Sequence, residues 1–491
     1  MKKVAIIGAG LGGLSAAARL AAAGFEVDIY EQQNSIGGKA GTLSKGGFRF
    51  DTGPSLLTMP YVFDQLFEET GEKREDFLSF IPLHPVCNYF FSDGTILSSY
   101  SSIEKFAAEI AENTDDSEEA FFKYFRKAEV VHEITAELFL WKSLHEKSTY
   151  MSRSFVKALP GLSRISALRS LHSLNARYFS DPRMIQLFNR YATYNGSNPY
   201  RIPGTFSIIP FIEYNFGGFA VKNGIHAVPQ GVFQLAEKKG AQFFLNTKVD
   251  KILTEGNRVR GIRFGGNDRE YDIVVSNVDV QQTYSRLLNR EDAKWYKRYS
   301  RMEMSSSGMV FMWGMDRRFL QLDVHNIFFS SDYPKEFNEI FDKRICPTEP
   351  TVYINITSKV TPGDAPKEGE NWFILVNVPN NHGQDWEAEK TAMKRRILKK
   401  LEIFLGKDLE KHISVESALT PADIERDTGS TKGSLYGISS NSMLSAFRRH
   451  PNRNPEYKGL YVCGGSVHPG GGMPLVILSG KITADLVKKY E

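Results

Sequence analysis

The sequence has few cysteines, little net charge and no long apolar run, and each shortage excludes a class of protein. Its three cysteines, Cys87, Cys346 and Cys463, are widely spaced and form no CxxC pair. We therefore expect a reducing compartment, with neither a disulfide framework nor a metal site. A formal net charge of +4 without a recognition motif argues against nucleic-acid binding. No stretch reaches the roughly 18 uncharged apolar residues that a membrane span requires.

The first residues resemble a secretion signal only superficially. Lys2 and Lys3 precede an apolar run, but glycines at 8, 10, 12 and 13 and then Arg19 interrupt it. A signal sequence has a continuous apolar region. We therefore predict a protein that stays in the cytoplasm, either free or attached peripherally to a membrane.

Aromatic residues are abundant, with 34 phenylalanines and 21 tyrosines among 491 residues. A large core of ordinary packing accounts for most of them. A long apolar cavity that accepts a hydrocarbon would use others. Both interpretations stay open from composition alone.

The first 31 residues predict a β-turn-α-β unit that binds a dinucleotide. The run VAIIGAGLGG fits GxGxxG through Gly8, Gly10 and Gly13, with Gly12 beside them, and FEVDIYE places Glu31 at the end of a second strand. These glycines permit a sharp turn, a close approach of phosphate to backbone, and contact between helix and strand. The helix N-terminus attracts the diphosphate, and the Glu31 carboxylate accepts ribose hydroxyls.

Two further glycine loops favour FAD over NAD. Gly38 and Lys39, in IGGKAG, lie where a second loop can face the diphosphate or the ribityl chain. In YVCGGSVHPGGGMP, a strand leads into a helix that we predict to begin near Pro474. Its positive end can stabilise negative charge on a reduced ring system. The cofactor-binding residues that we predict in this second unit are Gly464, Gly465, Gly472 and Met473.

The remaining chain predicts a second domain that interrupts the first one twice. Residues 60–200 are predicted to be mainly helical, and four strand-like runs between 307 and 380 show the alternation of antiparallel strands. We predict that residues 1–75, 226–295 and 426–491 form the FAD-binding domain. Residues 76–225 and 296–425 are predicted to form a domain that faces the substrate and the membrane.

Six segments together resemble the FAD-dependent carotenoid desaturases of the bacterial phytoene desaturase type, within the amine-oxidase-like flavoproteins. The segments are VAIIGAGLGGLSAAARLAAAGFEVDIYEQ, IGGKAGTL, FRFDTGPSLLTMP, IPFIEYNFGGFAVKNGIHAVPQGV, KVDKI with DIVVSNVD, and YVCGGSVHPGGGMP. They span nearly the whole chain in order. The family usually has arginine where Lys39 stands and glycine where Leu475 stands.

This resemblance implies the fold class α/β, with a glutathione-reductase-like Rossmann FAD domain and an inserted α+β substrate domain of antiparallel sheet and helices. It implies that Val249 lies near the adenine, that Ser276 and Asn277 form a turn, and that Gly53 and Pro54 hold a loop over the flavin. It also implies desaturation of a carotenoid by hydride transfer to flavin N5. Within the family we favour C3–C4 desaturation of a 1-hydroxycarotenoid.

Two residues are candidates for catalysis, and four for the wall of a substrate channel. His468 lies in the C-terminal glycine loop and Glu213 lies among aromatic residues; each could also be structural. We predict that His468→Ala and Glu213→Gln each slow turnover while FAD stays bound. The channel candidates are Tyr214, Phe216, Phe219 and Trp313.

A basic segment predicts contact with the inner face of the cell membrane. Lys147 to Arg201 contains nine lysines and arginines but one acid, Asp181, and mixes them with apolar residues. Such amphipathic segments can lie in an anionic membrane surface, although many basic runs are simply solvated.

Other functions share these motifs. Phytoene or another acyclic carotene could be the substrate, a carotenoid isomerase or saturase could use reduced FAD, and a carotenoid-binding protein could keep the fold without catalysis. A flavin amine oxidase would need an aromatic cage that HPGGGMP does not supply. Oxygen or a quinone is the expected electron acceptor.

Overall fold

The computed structural model describes residues 1–491. Its nineteen strands are β1 Lys3–Ile7, β2 Glu26–Tyr30, β3 Thr42–Lys45, β4 Phe48–Asp51, β5 Phe80–Pro82, β6 Cys87–Phe90, β7 Ile96–Ser99, β8 Phe219–Val221, β9 Gln242–Phe244, β10 Val249–Glu255, β11 Arg258–Phe264, β12 Asn267–Glu270, β13 Ile273–Ser276, β14 Ser307–Met315, β15 His325–Phe328, β16 Val352–Ile356, β17 Glu370–Val378, β18 Ile413–Leu419 and β19 Leu460–Val462.

Seventeen α-helices accompany these strands. They are α1 Leu11–Ala22, α2 Pro60–Glu69, α3 Ile103–Asn113, α4 Glu118–Trp141, α5 Lys147–Tyr150, α6 Arg153–Ala158, α7 Leu171–Tyr178, α8 Pro182–Asn189, α9 Ile208–Phe216, α10 Ala227–Lys238, α11 Val280–Gln282, α12 Lys294–Tyr299, α13 Tyr333–Asn338, α14 Trp386–Leu405, α15 Pro421–Thr428, α16 Ser445–Arg448 and α17 Met473–Tyr490. None of them is both long enough and apolar enough to cross a membrane.

A five-stranded parallel sheet in the order β19-β13-β1-β2-β9 carries the N-terminal motif. Strand β1 is buried from Val4 to Ile7, as its continuous apolar run requires between two covered faces. Helices α1, α10 and α17 pack together beside this sheet. Strands from both ends of the chain therefore meet in one nucleotide-binding fold, which confirms the predicted α/β class.

A seven-stranded sheet in the order β18-β14-β17-β16-β15-β6-β7 forms the second layer. The four runs predicted between 307 and 380 are β14 to β17, and their pairings with one another are antiparallel, as predicted. Only β15 and β6 pair in parallel. The strands of the two large sheets alternate along the chain, but the exact domain boundaries stay a prediction.

The two faces of the seven-stranded sheet pack against different partners, and this corrects one prediction. Trp313 is fully buried in a cluster with Phe311, Trp372 and helix α14. Tyr353 lies on the opposite face, where it packs against the large core that includes the parallel sheet and against a small cluster around Phe48 and Phe50. Trp313 is therefore a core residue and the prediction that it lines a channel was wrong, because neighbouring residues of a strand point to opposite faces.

Candidate functional site

The N-terminal glycine turn packs too tightly to admit side chains. A Cβ atom added to Gly13 would lie 2.3 Å from the carbonyl oxygen of Gly8. Gly10 pairs with Gly37 in an isolated bridge, where the Gly37 N–H donates to the Ala9 carbonyl at 2.9 Å. The structure thus brings the first and second glycine loops together. Both loops border the start of helix α1, whose N-terminus has no side-chain cap.

Glu31 lies at the end of strand β2, beside the glycine turn. Its Oε2 accepts the Ala9 N–H at 2.8 Å and its Oε1 accepts the Gln33 N–H at 2.9 Å. The backbone carbonyl of Glu31 accepts a hydrogen bond from the Thr247 N–H at 2.8 Å. Thr247 lies two residues before Val249 in the chain. This arrangement places Val249 and Glu31 at the same end of the predicted dinucleotide site, where the ribose and the adenine are expected.

The C-terminal glycine loop reaches the same place from the other end of the chain. A Cβ atom on Gly12 would lie 3.0 Å from the Gly464 Cα. Ser15 on α1 donates to the Ile477 carbonyl on α17 at 2.7 Å, and the Gly464 N–H donates to Ser479 Oγ at 3.1 Å. The two helices are therefore joined at their N-terminal halves, beside the glycines.

Other glycines of this loop have the geometry of a close turn. A Cβ atom on Gly465 would lie 3.5 Å from the Gly471 Cα. Gly472 has a φ of 108°, which favours glycine, and Met473 begins helix α17. The helix starts one residue before Pro474, in agreement with the prediction.

Asn277 occupies the centre of the glycine cluster. Its Oδ1 lies 2.7 Å from the Cβ position of Gly12 and equally far from that of Gly464. The resemblance implied only a turn at Ser276 and Asn277. The signal that marks Asn277 is its position directly after the buried strand β13, because parallel strands end at one edge of the sheet.

Lys39 links two loops. Its Nζ donates to the carbonyls of Ser434 and Leu435, at 2.9 Å each, and burial lowers its pKa to about 8. A Cβ atom on Gly53 would lie 1.9 Å from the Lys39 carbonyl oxygen, so only glycine fits there. The structure gives Lys39 a role in holding the loops, while its predicted contact with the diphosphate stays a prediction.

These residues fit a dinucleotide with a flavin. Glycines from three segments lie close together around the N-terminus of α1, with no side chains of their own. Their backbone N–H groups can therefore approach a diphosphate directly. Glu31 supplies the carboxylate for a ribose. Residues 11–488 match the family described as flavin containing amine oxidoreductase. The chain belongs to this family. It is an FAD-dependent oxidoreductase, and FAD is its cofactor.

Relatives within this family cover the chain almost completely. It is 44% identical over 487 residues to a 1-hydroxycarotenoid 3,4-desaturase from Flavobacterium sp., with 99% of each chain covered. It is 33% identical to a 4,4'-diaponeurosporene oxygenase from Staphylococcus haemolyticus, covering all of this chain and 98% of that protein. The crystal structure of an oxidoreductase from Methanosarcina mazei has a TM-score of 0.63 at 17% identity, covering 99% of this chain and all of that one, and confirms the fold.

His468 is buried and committed to a structural contact. Its Nε2 donates to the carbonyl oxygen of Lys142, near the end of α4, at 2.8 Å. Its own carbonyl accepts from Asn452 Nδ2 and Ser479 Oγ, both at 2.9 Å. Burial lowers the pKa of His468 to about 3, so the ring is neutral. The neutral ring holds the glycine loop against α4, and its predicted effect on turnover stays a prediction.

Buried neutral histidines predict an acid-sensitive fold. Burial lowers the pKa of His325, His450 and His468 to about 3, whereas an unfolded histidine titrates near 6.5. The unfolded chain binds more protons below about pH 6.5, so the free energy of unfolding falls as the pH decreases toward 3. Each of these histidines contributes up to about 1.4 kcal/mol per pH unit to this decrease in the free energy of unfolding. We measure the free energy of unfolding by urea titration at several pH values between about 3 and 6.5, for wild type and for His468→Asn. The plot of this free energy against pH should be less steep for the variant, by the equivalent of about one proton taken up on unfolding. An unchanged slope of this plot would contradict the assignment of His468 as a buried neutral histidine.

Glu213 lies in a different hydrogen-bond network from His468. Its carboxylate is 1% exposed and accepts the hydroxyls of Tyr191, at 2.7 Å, and Tyr194. Arg190 Nη2 lies 3.9 Å from Glu213 Oε1, and three tyrosine rings surround its guanidinium at 4.7 to 5.3 Å. Glu213 is therefore a buried anion paired with a buried cation, and its part in turnover stays a prediction.

Three channel candidates lie in aromatic surroundings at different places. The Tyr214 and Tyr191 hydroxyls are hydrogen-bonded at 2.7 Å, which joins Tyr214 to the Glu213 network. Phe216 is half-buried and packs edge-on against Tyr61 at 5.1 Å. Phe219 forms two backbone hydrogen bonds with Leu57. Leu57 lies four residues after Gly53 in the chain. The structure thus brings Phe219 to the loop predicted to cover the flavin.

Proposed function

We propose that this chain desaturates the C3–C4 bond of a 1-hydroxycarotenoid. The observation that carries the proposal is the 44% identity, over 99% of both chains, to a protein of that activity. The aromatic surroundings of Tyr214 and Phe216 support an apolar substrate. FAD, when bound, supplies the acceptor for the electrons removed from the substrate.

The chain's own residues would position the substrate and exclude water. Phe219 and Leu57 are joined by two backbone hydrogen bonds, which fix Phe219 beside the predicted flavin loop. Helix α17 directs its N-terminus toward the glycine loops, where a positive end favours negative charge on the cofactor. Placement and electrostatics of this kind are what a protein contributes to cofactor chemistry.

Product analysis tests this function. Purified protein with FAD is incubated with a 1-hydroxycarotenoid, and the product is examined by chromatography, absorption and mass spectrometry. We expect loss of two hydrogens and a red shift. Conversion of phytoene would indicate the alternative desaturase, unchanged mass an isomerase, and added oxygen an activity like that named for the second relative. Repeating the reaction without air, with and without a quinone, distinguishes the two proposed electron acceptors.

We also propose that residues 147–201 attach the protein to the inner face of the cell membrane. Met151, Val156 and Leu168 expose 84%, 59% and 87% of their surface. Arg153 and Lys157 lie on the same short helix as Val156. Exposed apolar side chains beside cations suit an anionic lipid surface.

Vesicle flotation tests the membrane proposal. We expect the protein to float with anionic vesicles at low salt, and the double variant Val156→Glu/Leu168→Glu to remain at the bottom, because acidic groups oppose both insertion and attraction. Leu320→Glu is the matched control, since Leu320 is 89% exposed but outside the segment. Equal flotation of all three proteins, or of none, would contradict the proposal.

A further inference from the structure

Two polar side chains face each other on neighbouring strands of the seven-stranded sheet. His325 on β15 is directly opposite Asn355 on β16. Both are buried, at 2% and 1% exposure. They lie on the face that carries Tyr353, opposite to the face covered by helix α14. Tyr353 on this face contacts Ser55, in the loop predicted to lie over the flavin.

The hydrogen bonds of this pair determine where its protons lie. Asn355 Nδ2 donates to the Val324 carbonyl at 3.1 Å and to His325 Nδ1 at 3.2 Å. An amide nitrogen only donates, so Nδ1 of His325 is an acceptor and the proton of the neutral ring is on Nε2. The Tyr353 hydroxyl donates to the same Nδ1 at 2.7 Å, so the single lone pair of Nδ1 is shared between this shorter bond and the longer one from Asn355.

Each member of the pair is left with one unused polar atom. His325 Nε2, a donor, and Asn355 Oδ1, an acceptor, are both buried without a partner. Arg190 Nε is a third buried atom without a partner, and the Arg190 charge acts on His325. Buried polar groups are almost always paired, because an unpaired one loses its hydration without compensation. The two paired residues thus offer one free donor and one free acceptor, and this combination matches a hydroxyl group, which accepts one hydrogen bond and donates another.

A chain of hydrogen bonds connects this pair to the cofactor loop. Ser55 Oγ and the Tyr353 hydroxyl are 2.6 Å apart, and Tyr353 continues to His325. Ser55 follows Gly53 and Pro54, which are predicted to lie over the flavin. The free polar atoms are therefore linked to the place where the reaction is proposed to occur.

We propose that His325 and Asn355 bind the hydroxyl group of the substrate. His325 Nε2–H donates to the hydroxyl oxygen, and the hydroxyl donates to Asn355 Oδ1. The ligand class is a long hydrocarbon that carries an alcohol. This inference rests on the proposed function, since it names the group by which that substrate is distinguished from one without the hydroxyl.

The test compares a 1-hydroxycarotenoid with the analogue that lacks the hydroxyl. Binding to the FAD-loaded protein in detergent micelles is followed by quenching of tryptophan fluorescence, and kcat/KM is measured separately. A site that hydrogen-bonds a substrate hydroxyl discriminates strongly against the analogue without it. We expect wild type to prefer the hydroxylated ligand by roughly 10- to 100-fold in both measurements.

Two variants should abolish this preference and two others should keep it. His325→Phe and Asn355→Leu each remove one of the proposed partners, so the ratio should fall to near one. His325→Gln retains an N–H donor and should restore part of the ratio. Trp313→Phe, the matched control, removes another buried unpaired N–H from the opposite face of the same sheet and should leave the ratio unchanged. Melting temperatures verify that each variant is folded.

The possible outcomes separate this inference from the proposed function. If wild type binds both ligands equally, or if His325→Phe and Asn355→Leu keep the preference, the inference is overturned. If wild type shows the binding preference but produces no desaturated product, the proposed function fails and the hydroxyl site stands. If the hydroxylated substrate is desaturated without any preference, the function stands and the hydroxyl site fails.

Discussion

Gly13→Ala should weaken the binding of FAD to this protein. The added Cβ would lie 2.3 Å from the Gly8 carbonyl oxygen, a main-chain atom that cannot rotate away. Helix α1 would have to shift from strand β1, and its N-terminus would move from the diphosphate position. Overpacking of this kind costs about 1–3 kcal/mol. We therefore expect FAD to bind about 10- to 100-fold more weakly, as measured by titration of the apoprotein with FAD.

Gly363→Ala is the matched control for this experiment. No heavy atom lies within 4 Å of its Cβ position, and its φ is outside the region that favours glycine. It should bind FAD as wild type does. Normal FAD affinity in folded Gly13→Ala would mean that the glycine turn does not hold the diphosphate. The assignment of the N-terminal motif would then be wrong.

Removing either charge of the Arg190–Glu213 pair should destabilise the protein strongly. Glu213→Leu leaves the Arg190 cation buried among tyrosine rings, and Arg190→Met leaves the Glu213 anion buried. Breaking one partner of a buried pair typically costs about 3–5 kcal/mol, because the remaining charge loses its compensation. We expect each single variant to lower the free energy of unfolding by that amount in urea titrations at neutral pH.

The double variant Arg190→Met/Glu213→Leu should be more stable than the less stable single variant. With both charges gone, only apolar packing and the tyrosine hydroxyls remain, so the effects are not additive. Arg263→Met serves as the control, since Arg263 pairs with Asp268 on the protein surface and should leave the unfolding midpoint unchanged. Additive losses in the double variant would show that the two charges do not interact.

The nucleotide-binding part could be predicted from residues close together in the chain. The glycines at 8, 10 and 13 and the carboxylate of Glu31 follow steric and hydrogen-bonding rules of one β-turn-α-β unit. The strands β14 to β17 could also be predicted from the sequence. Successive residues of a strand point to opposite faces of the sheet, so residue types alternate with a period of two when the two faces have different surroundings. The prediction of which face lines a channel was wrong for Trp313, since alternation does not identify the partner of each face.

By itself, the sequence determined the cofactor class and the two kinds of sheet, since these depend on local backbone geometry and on the spacing of apolar residues. Tertiary structure alone decided which distant side chains meet. It set the Lys142 carbonyl against His468, 326 positions away in the chain, placed Asn277 between the N-terminal and C-terminal glycine loops, and paired His325 with Asn355. The physical reason is that such contacts arise from the packing of whole elements, and their register appears in no local pattern.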